Sequence, residues 1–213
     1  MTRETWPRRM APIDPAGAAL LVIDVQKGIF HPGAAATRPW FHHTAAEIAV
    51  PNIARLLAAA RGAGVEVIYT VIESLTRDGR DRSIDYKETG FHFAPGSPEA
   101  EVCDEVRPVA DEIVLPKTSS SLFNSTIFEY LLRNMGLDTV ITTGFLTDQC
   151  VDHTMRDGAD RGFRMICVTD ACTTDTAERH AAALAAFKGY GRQATTADIV
   201  AELQQLTTSR GQR

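Results

Sequence analysis

Apolar and polar positions along this chain fall into blocks instead of alternating singly. Six short runs are almost continuously apolar: "AALLVID" at 18–24, "VEVIYTV" at 65–71, "EIVLP" at 112–116, "DTVITTG" at 138–144, "RMICVTD" at 164–170 and the weaker "RQATT" at 192–196. Strands read this way when both of their faces are covered. Between the runs, apolar residues recur at helical spacing over 44–62, 123–135, 148–161, 176–188 and 196–206. Glycine in "RGAG" at 61–64 and "NMG" at 134–136 stops the first two helices. This alternation predicts an α/β fold of one domain, a doubly wound parallel sheet with helices on both faces. Residues 74–111 break the pattern, being long, charged and rich in Gly and Pro, as a functional surface loop or an insertion is.

The expected layout is a loose arm over 1–15, the domain over 16–206 and a flexible tail over 207–213. A formal net charge of −5 excludes nucleic acid as the main partner, since phosphate binding needs clustered Lys and Arg. No apolar run approaches the ~20 residues of a membrane span. The opening "MTRETWPRRMAPIDPAG" lacks the apolar middle of a secretory signal, so a cytoplasmic location is expected. The four cysteines, Cys103, Cys150, Cys167 and Cys172, form no CxxC pair and no zinc-type spacing with histidine. They read as free thiols, with Cys167 inside an apolar run.

In open α/β sheets ligands bind outside the carboxyl ends of the strands. Those ends carry Asp24, Glu73, Lys117, the 144–150 turn and Asp170. Neither a GxGxxG fingerprint nor a Walker-type loop is present, so nucleotide binding has no support. Asp24 ends a buried strand, either as a helix cap or as a proton carrier whose pKa an apolar pocket would raise. Lys117 is either a solvated loop lysine or a fixed ammonium beside such a carboxylate or a thiol. In "GFLTDQCV" (144–151), Thr147 or Asp148 is placed to cap a helix with Cys150 in its first turn. That thiol is either small core filler or a nucleophile whose pKa the helix end lowers. His153 lies one turn on and reads as a surface residue.

Three stretches in this order, "LLVIDVQKGIF", "LPKTSSSLFNST" and "TGFLTDQCVDHTMRDGADRGFRMICVTDAC", resemble the isochorismatase-like cysteine hydrolases. The resemblance runs from about residue 18 to 203. It implies a six-stranded parallel sheet in a Rossmann-like three-layer arrangement and a homo-oligomer, dimer or tetramer. It also implies a catalytic triad of Asp24, Lys117 and Cys150. A cis peptide is implied at Phe145–Leu146, with the amides of Leu146 and Cys150 as an oxyanion hole. Nicotinamidase relatives bind a divalent metal through an Asp-x-His pair after the second strand and a further His. Here that strand runs into "VIESLTRDGRD", so neither a metal nor any other cofactor is expected. Members acting on isochorismate itself lack the cysteine, which leaves hydrolysis of a C–N bond in a small amide, carbamoyl or ureido compound. Vinyl-ether or ester hydrolysis, or a non-catalytic oligomerising module on the same fold, are the alternatives. Phe30, Trp40 and Phe123 are candidate apolar walls of the pocket. Glu73, Asn124 and Gln149 are candidate polar contacts, and Arg77, Arg80 and Arg82 are candidate partners for a substrate carboxylate.

Overall fold

The computed structural model describes residues 7–210, with side chains over 8–205. All six apolar runs form strands: β1 Ala18–Ile23, β2 Glu66–Ile72, β3 Ile113–Lys117, β4 Thr139–Phe145, β5 Arg164–Thr173 and β6 Arg192–Ala194. They pair in parallel in the spatial order β3-β2-β1-β4-β5-β6. Helices α1 (Val50–Ala63), α2 (Ile84–Thr89), α3 (Phe128–Asn134), α4 (Asp152–Asp160), α5 (Ala177–Phe187) and α6 (Thr196–Arg210) connect and cover them, with shorter helical turns between.

Alternate residues of β1 explain why its run is apolar throughout. Leu20 and Val22 enter one core with Ile53 and Leu56 of α1 and Ile199 and Leu203 of α6. Ala19, Leu21 and Ile23 enter the other with Phe128 and Leu132 of α3, Met155 of α4 and Phe187 of α5. After β3 the chain returns to the far side of β1 to form β4. The winding therefore reverses between β1 and β4, and a crevice opens at the carboxyl ends of those two strands.

Element boundaries depart from the sequence pattern where side chains compete with helix bonds. The helix expected over 123–135 is split into Leu122–Ser125 and α3. The Thr126 hydroxyl donates to the Leu122 carbonyl at 2.7 Å and accepts from the Phe128 amide at 3.0 Å, closing one turn and starting the next. β5 continues past its expected end because the pairing shifts between Thr142–Cys167 and Gly144–Cys172, leaving extra β5 residues in an irregular stretch. Asp170 lies in that stretch, where its carboxylate accepts from the Thr196 amide at 2.7 Å and caps α6.

Part of the expected loose arm packs on the domain: Ile13 is buried and its amide donates to Glu202 at 2.6 Å. Residues 1–6 of the arm and 211–213 of the tail lie outside the described residues. The 74–111 segment folds back over the crevice. Ser83 donates its amide to the Thr118 carbonyl at 2.9 Å, and the Gly28 amide donates to Glu99 at 2.8 Å. Buried Gln26 holds the same region by donating to the carbonyls of Ile72 and Glu99, while its side-chain oxygen accepts from the Ile72 amide. Among the described residues no helix is long and apolar enough to cross a membrane.

Candidate active site

Asp24 is the first residue beyond β1, in the left-handed backbone region at φ 54°, which Asp tolerates better than most residues. Its amide donates to the Thr70 carbonyl and its Oδ1 accepts from the Thr70 hydroxyl, both at 3.0 Å. Oδ2 lies 2.9 Å from Lys117 Nζ but accepts no aligned hydrogen bond among the described residues. That oxygen therefore retains a site for a proton.

Lys117 ends β3, two strands from β1, a distance of about 10 Å. Its side chain crosses that gap beneath the end of β2 and is wholly buried. Nζ donates to the Ser119 carbonyl at 3.0 Å, to Tyr86 Oη at 2.8 Å and to Cys150 Sγ at 3.3 Å. Burial alone would pull the ammonium's pKa down. Asp24 and Cys150 outweigh that pull and hold it well above the ordinary lysine value, so Lys117 is a fixed cation.

Cys150 leaves β4 through a π-helical turn, Thr147–Val151, that leads into α4. Before the turn, Gly144 has φ 107°, and a Cβ there would overlap the Ile23 carbonyl of β1. The Phe145–Leu146 peptide is cis. Neither expected side-chain cap forms. Thr147 bonds His180 Nδ1 at 2.8 Å, while Asp148 accepts from Thr174 and Arg179, each at 2.5 Å. The expected low thiol pKa is corrected as well. Burial pushes the Cys150 thiol up to about 11 and Asp24 adds to the rise, against the opposing effects of Lys117 and Tyr86. The residue is 4% exposed, so loss of solvation is the largest influence on its thiol.

Asp24, Cys150, Leu146 and Gln149 line one tight cavity with Arg38, Tyr86 and Phe91, its apolar walls completed by Ile29, Ile72 and Phe145. Its free volume is about 20 Å³, room for one water molecule. The other expected contacts lie elsewhere. Glu73 accepts from the Gly96 amide at 2.6 Å and faces a separate hollow toward β3. The carboxylate turns to the loop amide, so it does not reach the thiol. Phe123 is buried between Phe128 and Phe163, Asn124 is exposed, and Trp40 is 43% exposed. Phe30 packs its ring edge on Phe145 and lines a neighbouring hollow. His153 is exposed. Arg82 donates to the carbonyls of Gly79, Tyr86 and Phe91, and Arg80 pairs with Asp78 at the surface. Arg82 and Arg80 therefore stitch the loop together, and Arg77 is exposed away from the cavity.

Tyr86 and Arg38 carried no sequence signal. Tyr86 comes from a segment without periodicity. Arg38 stands in "TRPWFHH", where no apolar run points it toward a strand end. Its Nε donates to Asp175 at 2.6 Å, its guanidinium lies 4.0 Å from the centre of the Phe41 ring, and the residue lines the cavity. Among the described residues no three His, Cys, Asp or Glu side chains gather as a metal site would require.

The family model of the isochorismatase domain matches residues 18–199. The chain is 32% identical over 191 residues to the maleamate amidohydrolase of Pseudomonas putida, covering 88% of this chain and 87% of that protein. It is also 32% identical over 211 residues to a ureidoacrylate amidohydrolase of Methylobacterium radiotolerans, covering 86% and 79%. Among solved structures, a cysteine hydrolase from Pseudomonas syringae pv. phaseolicola superimposes with a TM-score of 0.82 at 28% identity, covering 92% of this chain and 96% of that one. With the match running from the first residue of β1 into α6, over the same strand ends that carry Asp24, Lys117 and Cys150, the chain belongs to the isochorismatase family.

Proposed function

We propose that the chain is a cysteine-dependent amidohydrolase cleaving the C–N bond of a small amide, carbamoyl or ureido compound that also bears a carboxylate. The observation that carries this reading is the convergence of a carboxylate, an ammonium and a thiol, all buried, at the β1–β4 switch point, with the carboxylate and the thiol lining one tight cavity. Buried titratable groups of opposite character are costly unless they serve one another, and here each lies within reach of the next.

In the proposed cycle the Cys150 thiol gives its proton to Asp24 Oδ2 as Sγ attacks the substrate carbonyl. The new S–C bond pushes the carbonyl electrons onto oxygen, which the Leu146 and Cys150 amides bind. Asp24 then returns the proton to the departing nitrogen as the C–N bond breaks, releasing ammonia or an amine. A thioester or thiocarbamate remains on Cys150. Asp24 next takes a proton from water, the hydroxide adds to the carbonyl, and the S–C bond breaks to give the acid. The sulfur recovers its proton from Asp24. Lys117 stays charged throughout, offsetting first the Asp24 carboxylate and then the thiolate.

Two further observations support the carboxylate. Arg38, anchored by its Nε on Asp175, lines the cavity, and a guanidinium is the group that binds carboxylates in pairs of hydrogen bonds. Maleamate and ureidoacrylate, for which two relatives are named, are both amides carrying a carboxylate. Ammonia release over a panel of simple, carbamoyl and ureido amides, with and without a carboxylate, tests the reading. Turnover is expected for carboxylated members and is abolished in Cys150→Ala and in Asp24→Asn. Near-normal rates in either variant contradict it.

A further inference from the structure

The cavity wall carries a phenol that the cycle above leaves unused. Tyr86 lies on α2, in the 74–111 segment, and is 2% exposed. Its Oη accepts from Lys117 Nζ at 2.8 Å and lies 3.6 Å from Cys150 Sγ. An ammonium has only donors, so the 2.8 Å bond fixes the phenol oxygen as acceptor there. The phenol's single hydrogen is then free to point elsewhere, and the acceptor within reach is the sulfur.

We propose that Tyr86 is a catalytic residue that stabilises the Cys150 thiolate by donating its phenolic hydrogen to Sγ, completing a chain from Lys117 through Oη to sulfur. The proposal rests on Cys150 as nucleophile and adds the group that makes a buried thiolate tolerable. Burial drives the Tyr86 pKa upward, so the phenol keeps its hydrogen at physiological pH. The charged and titratable groups facing the thiol are Asp24 from the end of β1, Lys117 from the end of β3 and Tyr86 from α2, with Arg38 on the same cavity wall. Asp24 opposes the thiolate, which leaves Lys117 and Tyr86 to favour it.

Local structure holds the phenol in place from three sides. The Ser83 hydroxyl caps α2 by accepting from the Tyr86 amide at 3.1 Å, and the Ser83 amide is tied to Thr118, next to Lys117. Arg82 donates to the Tyr86 and Phe91 carbonyls, and the Phe91 ring packs on the Tyr86 ring at 5.3 Å. The long loop thus brings a side chain of its own to the reacting sulfur, which gives the 74–111 segment a task beyond covering the crevice.

Tyr86→Phe tests this, because phenylalanine keeps the ring packing and removes only the hydroxyl. The readout is the rate at which iodoacetamide alkylates Cys150, followed by mass spectrometry of the peptide carrying it, from pH 7 to 10. Loss of a hydrogen bond to a charged acceptor is expected to move the profile to higher pH, slowing alkylation at pH 8.5 by about tenfold. The melting curve should stay near that of wild type, which separates this from a folding defect. A Tyr86→Phe profile that coincides with wild type, or one that moves to lower pH, overturns the proposal while leaving the hydrolase reading intact. A Cys150 in the wild-type protein that resists alkylation at every pH overturns both.

Discussion

Burial strips solvation from the Cys150 thiolate, and with its pKa pushed up to about 11 the thiol is neutral at physiological pH. The consequence is a resting enzyme that is not a ready-made thiolate. Alkylation of wild-type Cys150 should go on accelerating up to pH 10; a plateau near pH 7 would mean that the helix end outweighs burial after all. Arg38 carries the prediction on selectivity. Replacing it with Met should raise KM for the best carboxylated amide by about tenfold or more, the worth of a hydrogen bond to a charged partner. KM for an uncharged analogue should be unaffected, and equal changes for both would remove Arg38 from recognition. Asp24, Lys117 and Cys150 were legible as lone chemical groups at the ends of apolar runs, and topology then brought them together. Tyr86 and Arg38 were not, since each reaches the cavity through a chain path that no periodicity records. The Gly96 amide bond of Glu73 was not legible either, because a strand end sets where a side chain starts and says nothing of the loop amide it meets.

At the level of elements, the site depends on how closely β4 can pass β1. Gly144 stands in a backbone conformation open to glycine, directly against the Ile23 carbonyl, and the turn carrying Cys150 follows within six residues. Gly144→Ala should cost at least about 3 kcal/mol of folding free energy, since the clash is with backbone that cannot step aside. A lowered denaturant midpoint at unchanged slope is the expected result; an unchanged midpoint would show that the two strands separate freely. Strand existence was legible from the six apolar runs because both faces of this sheet are covered. Helix ends were less so, because hydroxyls such as that of Thr126 redirect single backbone bonds without altering the apolar pattern.

At the scale of the whole molecule, a parallel sheet that reverses its winding between β1 and β4 leaves a crevice at the carboxyl ends of those strands. The 74–111 segment covers it and leaves a tight cavity of about 20 Å³, room for about one water. Such a tight site suits a reaction with a labile covalent intermediate, because it limits the water that reaches it. This intermediate is proposed to form on Cys150. Acid-quenching the enzyme during the first turnover of its best amide, then mapping the peptides by mass, tests it most directly. A substrate-derived acyl or carbamoyl mass is expected on the peptide carrying Cys150 and on no other. Hydrolysis that proceeds through the same quench series with the adduct on a different side chain, or undiminished in Cys150→Ala, would contradict it.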